Sequence, residues 1–91
     1  VALFAITGTV DLTGVGKGKR IASWHLSNTG VAATVNFRDG SVTGTRYIQV
    51  QLPANASASE SYSMPNGAPL YPSGVYVEVL AGTILGSIDL I

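Results

Sequence analysis

Arg46-Tyr47-Ile48-Gln49-Val50-Gln51-Leu52 decides how this chain folds. Polar and apolar residues alternate along it. Ile48, Val50 and Leu52 fall on one side, and Tyr47, Gln49 and Gln51 on the other. A period of two belongs to a β-strand with one face buried and one turned outward. Pro53-Ala54-Asn55 then closes the stretch, because proline has no N–H for a strand ladder and asparagine bonds its own backbone in turns.

The same period continues outward from this segment. Upstream, Ala33–Arg38 places Val35 and Phe37 inward and Thr34, Asn36 and Arg38 outward, and Asp39-Gly40 and Ser41–Thr45 make the intervening loop. Arg20–Ser27 sets Ala22, Trp24 and Leu26 against Ser23, His25 and Ser27, and Asn28-Thr29-Gly30 reads as a turn. Ala2–Thr13 is a strand with a break near Gly8. Downstream, Ser57–Ser63 alternates, with Ala58, Glu60 and Tyr62 opposite the serines. Gly74–Leu80 turns Val75, Val77 and Val79 inward, and Ala81-Gly82 is a tight turn. Thr83–Leu90 then sets Ile84, Ile88 and Leu90 on one face. No window repeats apolar residues at helical spacing. The expectation is an all-β chain of about seven or eight short strands, a sandwich or a barrel. The long crossing at Ser63–Ser73 suits a Greek-key connection between sheets better than a hairpin.

Ninety-one residues suit one domain, residues 1–91. There is no cysteine, so neither a disulfide nor a thiolate metal site supplements the core. Five cations balance five anions, and charged residues make up 11% of the chain against about 25% in an average soluble domain. That balance argues against electrostatic binding of nucleic acid. No apolar run approaches the ~20 residues of a membrane helix. Val1 to Ile6 is apolar, but no charged segment precedes it, so no secretory signal is read there. A neutral, charge-poor small protein tends to associate, which points to assembly.

The residues that carry chemistry elsewhere are sparse. His25 is the one histidine and lies between Ser23 and Ser27, which reads as a surface or interface residue. Glu60 and Glu78 stand on different strands and do not read as an acid/base pair. Gly14-Val15-Gly16-Lys17-Gly18-Lys19 is a basic loop; Gly18 follows Lys17 where a phosphate loop needs Ser or Thr. The expectation is therefore no enzyme, no catalytic residue, no cofactor and no metal. Trp24 reads as core. Tyrosine is enriched at protein contacts, and Tyr47, Gln49 and Gln51 on one strand face, with Lys17 and Lys19 on the loop, are the expected partner-binding residues. The alternative is a carbohydrate-binding or host-attachment module, which needs exposed aromatics in a line.

Ala32-Ala33-Thr34-Val35-Asn36-Phe37-Arg38-Asp39-Gly40-Ser41, followed by Gly74-Val75-Tyr76-Val77-Glu78-Val79, resembles a pattern of small all-β structural proteins of tailed phages. Some of these resemble capsid decoration, or cement, proteins. The likeness spans roughly residues 20–90 and carries no catalytic residues; Asp39, Gly40 and Gly74 read as turn chemistry. It implies a single antiparallel β-sandwich, jelly-roll-like, on the exterior of a virion capsid. It also implies a major capsid protein as partner and a homo-oligomer of cyclic symmetry, a trimer among the arrangements that suit a lattice. No nucleic acid and no membrane enter that expectation.

Overall fold

The structure is a computed structural model that describes residues 2–14, 20–62 and 69–91. Among these lie eight strands: β1 (Ala2–Ile6), β2 (Val10–Asp11), β3 (Ile21–Asn28), β4 (Ala33–Asp39), β5 (Arg46–Leu52), β6 (Ser57–Ser61), β7 (Val75–Leu80) and β8 (Ile84–Leu90). They form two antiparallel sheets of four. Sheet A runs β1-β8-β3-β6 and sheet B runs β2-β7-β4-β5. The pairing is nested: β4 with β5, β3 with β6, β2 with β7, β1 with β8. The chain therefore doubles back at the loop after β4, and successive rungs of the doubled ribbon enter alternate sheets. The pairs β3·β8 and β4·β7 complete the two sheets.

Strand alternation builds the core. Sheet A turns Ile6, Trp24, Leu26, Ile88 and Leu90 inward, and sheet B turns Val35, Phe37, Val50, Leu52, Val75 and Val77 inward; all are buried. Aliphatic and aromatic side chains at these positions remove apolar area from water, the main favourable term in folding. Trp24 of sheet A and Phe37 of sheet B meet with ring centroids 5.8 Å apart and planes tilted by 52°. Trp24 Nε1 donates to the Tyr62 hydroxyl at 3.0 Å, so the indole is buried with its one donor satisfied.

The break expected near Gly8 is present: residues 7–9 carry the chain from sheet A to sheet B, which makes the Ala2–Thr13 stretch two strands. Other boundaries differ from the sequence reading, each for a physical reason. The inward row of β3 starts at Ile21, fully buried, because the β3·β8 register shifts between Ile21 and Ser23. Asn28 is not a turn residue. It ends β3, is 1% exposed, and faces Ile84 across the sheet. Its Nδ2 donates to the carbonyls of Val31 (2.7 Å), Leu52 (3.3 Å) and Pro53 (3.2 Å). Its Oδ1 accepts from the N–H groups of Gly30 (3.0 Å) and Thr83 (3.1 Å). One amide thereby closes this end of the sandwich, tying together the β3–β4, β5–β6 and β7–β8 connections. Residues 63–68 of the predicted Greek-key crossing lie outside the described residues; from Pro69 onward the chain passes Ile21 and enters sheet B at β7.

Candidate protein-contact site

β5 is an outer strand of sheet B, with β2 at the opposite edge. The direction of its backbone groups follows from its neighbour. Asp39 N–H donates to Thr45 and Gly40 N–H to Gly74, so odd-numbered residues of β4 face β5 and even-numbered ones face β7. Val79 N–H agrees with this alternation, since it bonds the Thr9 hydroxyl on the far side of β7. Ile48, Val50 and Leu52 stand opposite Phe37, Val35 and Ala33, and so spend their backbone groups on β4. The N–H and C=O groups of Gln49 and Gln51 point away from the sheet. Both side chains are exposed, beside Asn36 and Thr34.

The expected row of Tyr47, Gln49 and Gln51 is interrupted. Ile48 pairs with Phe37 but Arg46 pairs with Arg38, so the register slips and Tyr47 has no cross-strand partner. Its ring, 50% exposed, meets Tyr71 edge-to-face at 5.1 Å. Tyr71 is fully buried, and its hydroxyl has no hydrogen-bond partner among the described residues. Burial pushes that phenol well above its usual range, with Tyr62, Tyr47 and Asp39 nearby adding to the effect. Lys17 and Lys19, the other two expected contact residues, lie outside the described residues.

The middle of the outer face of sheet B is occupied by an internal polar network. Asn36 Nδ2 donates to Glu78 Oε1 at 2.8 Å, and Arg38 Nε donates to the same oxygen at 3.0 Å. Arg38 also donates to the Gly44 carbonyl at 3.1 Å, which fixes the β4–β5 loop. These bonds, that from Asn36 first, hold the Glu78 carboxyl below its ordinary range. Asn36 was expected to face solvent; it does point outward, but it is 1% exposed. Glu60 is exposed on β6, an edge strand of sheet A, so the two glutamates do not share a site.

The outer face of sheet A is different in kind. The register aligns Ser23 with Ser61, His25 with Ser59 and Ser27 with Ser57. On the other side it aligns Asp89, Ser87 and Leu85 of β8 with the same three residues of β3. β1 adds Leu3 and Ala5, opposite Asp89 and Ser87. The result is a face of short hydroxyl side chains around His25, with Asp89 as its one carboxylate and with Leu3 and Leu85 standing out at 71% and 56% exposure. The Ser27 hydroxyl lies 3.4 Å from His25 Nε2. Alternation in each strand was readable from the sequence. That β6 lies beside β3 was not, and it is this pairing that gathers the serines.

An open groove of about 530 Å³ lies at the Asn28 end, lined by Ala32, Ala33, Thr34, Gln51, Leu52 and Pro53. Trp24 is buried, as expected for a core residue, so it contributes to no exposed aromatic platform. Among the described residues no three His, Asp or Glu side chains converge where a metal ion would bind, and no helix is long and apolar enough to cross a membrane. Compared with protein-family models, with characterised proteins and with solved structures, the chain matches none.

Proposed function

We propose that this chain is a structural virion protein, a decoration protein on the exterior of a phage capsid that stabilises the shell by contact with the major capsid protein. The observation that carries the reading is the outer face of sheet A. Short side chains let a second protein surface come close to the sheet, and a single carboxylate leaves little charge to desolvate. Leu3 and Leu85, both more than half exposed, are the apolar anchors of that contact.

Two further features support the same reading. The first is the resemblance of residues 32–41 and 74–79 to the small phage structural proteins. The second is the nested pairing 1·8, 2·7, 3·6, 4·5, which we read as a jelly roll. Jelly rolls serve in viral capsids and in lectins alike, so the architecture is compatible with the proposal without choosing it.

The test is co-sedimentation of purified protein with shells that lack it. Wild-type protein should pellet with the shells. The double variant Leu3→Asp, Leu85→Asp changes two exposed outward positions, so it should keep the fold and lose at least about ten-fold in binding, the equivalent of about 1.4 kcal/mol. Wild-type protein that stays in the supernatant would contradict the proposal.

A further inference from the structure

Each sheet has two edges, and they are unequally protected. Edge strands invite pairing unless they are short, covered or charged. β2 has only two residues. β1 is also uncharged, but at five residues it is shorter than β5, and Ala-Leu-Phe-Ala-Ile does not read alike in both directions. β6 carries Glu60 in its inward row, opposite Trp24, a charge placed where an added sheet would bury it. β5 has seven residues and, past the register slip, presents Ile48 to Leu52 as an uncharged edge in unbroken register with β4.

That segment has a further property. Ile48-Gln49-Val50-Gln51-Leu52 reads apolar-Gln-Val-Gln-apolar in either direction. A twofold axis between two antiparallel strands sets each residue against its mirror position, so along this segment like side chains meet like across the axis. We propose that β5 pairs along its outer edge, which bears no backbone pairing among the described residues, with β5 of a second copy of this chain, with the twofold axis passing beside Val50. The inference stands on the strand geometry alone and does not need the virion reading.

The register is determined by what is already placed. The outward backbone groups belong to Gln49 and Gln51, so Gln49 of one copy exchanges both N–H···O=C bonds with Gln51 of the other, and Gln51 does the same with Gln49. Val50 meets Val50 in the intervening pair. On the inner face Ile48 meets Leu52, so the inward row stays apolar across the junction. On the outer face the glutamine amides, each both donor and acceptor, bond across the axis. Arg46, the one charge on β5, falls beyond the paired segment and does not face its own image. Centring the axis on Gln49 instead sets Arg46 against Leu52 and loses that match. The pairing joins two B sheets edge to edge. It gives a dimer or an even-numbered assembly, whereas a trimer needs a heterologous contact.

Two measurements on the full chain test it. The first is the mass in solution by light scattering. Wild-type protein should show twice the 9.4 kDa of one chain. Gln49→Lys, Gln51→Lys places lysine opposite lysine and should halve the measured mass with an unchanged far-ultraviolet dichroism spectrum. Mixing it with Gln49→Glu, Gln51→Glu should restore the doubled mass. The second is cross-linking. The native chain has no cysteine, and the pair at Val50 is of the kind with Cα atoms about 4.5 Å apart, within disulfide range. Val50→Cys should oxidise to a covalent dimer, and Ser59→Cys on sheet A should not. A wild-type mass of one or three chains, a lysine variant that keeps the doubled mass, or a Val50→Cys variant that cross-links no faster than Ser59→Cys overturns the proposal.

Discussion

Replacing Asn28 by alanine removes an amide that is 1% exposed and makes five hydrogen bonds to three connections of the chain. The N–H groups of Gly30 and Thr83 lose their acceptor, and the carbonyls of Val31 and Pro53 lose a donor. A net hydrogen bond is worth about 1 kcal/mol, and a buried group left unpaired costs about 1–3 kcal/mol. These partners are partly buried, so the low end applies. Two stranded donors and the lost amide bonds sum to about 3 kcal/mol. A 91-residue chain has about 5–14 kcal/mol in all, so this one side chain accounts for about a fifth to three-fifths of the stability. Trp24 is the only tryptophan and is buried, which makes its fluorescence a single-site reporter of urea unfolding. With a slope of about 1.5 kcal/mol per molar, the midpoint should fall by about 2 M. Asn28→Asp separates bonding from volume. It keeps both acceptances but brings a carboxylate against three carbonyls, which raises its folded-state pKa above the unfolded value of about 3.9. Its stability relative to wild type should therefore be highest below about pH 4 and fall as pH rises from there to the folded-state pKa. A midpoint shift below about 0.3 M for Asn28→Ala, or an Asn28→Asp variant that gains stability relative to wild type as pH rises, would refute the reasoning.

Three other expectations follow from the same kind of argument. Gly82 has φ +72°, and a Cβ there would sit 2.6 Å from the Ala33 Cβ and 2.8 Å from Asn28 Oδ1; Gly82→Ala should cost about 2–4 kcal/mol, read as a drop in thermal midpoint. Glu78 has its folded-state pKa held below 4.5 by Asn36 and Arg38, so it contributes stability that is present above pH 4.5 and lost as pH falls through the folded-state value; Glu78→Gln should flatten that part of the acid unfolding curve, and an unchanged curve would count against the network. Tyr71→Phe removes a buried hydroxyl without a partner among the described residues, and equilibrium unfolding should find it neutral or up to about 1 kcal/mol more stable.

The parts of the fold that were legible in the sequence are those set by local period. Alternation in Arg46–Leu52 and Val75–Leu80 placed every core residue of those strands, because a half-buried strand writes its two faces into successive residues. Three features were not legible. Asn28-Thr29-Gly30 has turn chemistry, yet the amide of Asn28 bonds groups up to 55 residues away, and nothing local distinguishes that use from a turn. Asn36 keeps its outward direction but is hidden by Arg38 and Glu78, a contact that depends on β7 lying beside β4. The slip at Tyr47 shows only in the pairing of β5 with β4, where Arg38 stands opposite Arg46. The candidate contact surfaces divide the same way. Gln49 and Gln51 were readable as outward, but their place on an outer edge, and the serines of β6 lying beside those of β3, come from strand order alone.

The most direct measurement is an electron cryomicroscopy map of phage shells decorated with the purified protein. If the proposed function holds, density for this fold lies on the exterior of the shell, with the face of Leu3, Leu85 and the serines of β3 and β6 against the capsid. A shell with no such density, or with the chain attached by the opposite sheet and sheet A facing solvent, would contradict it.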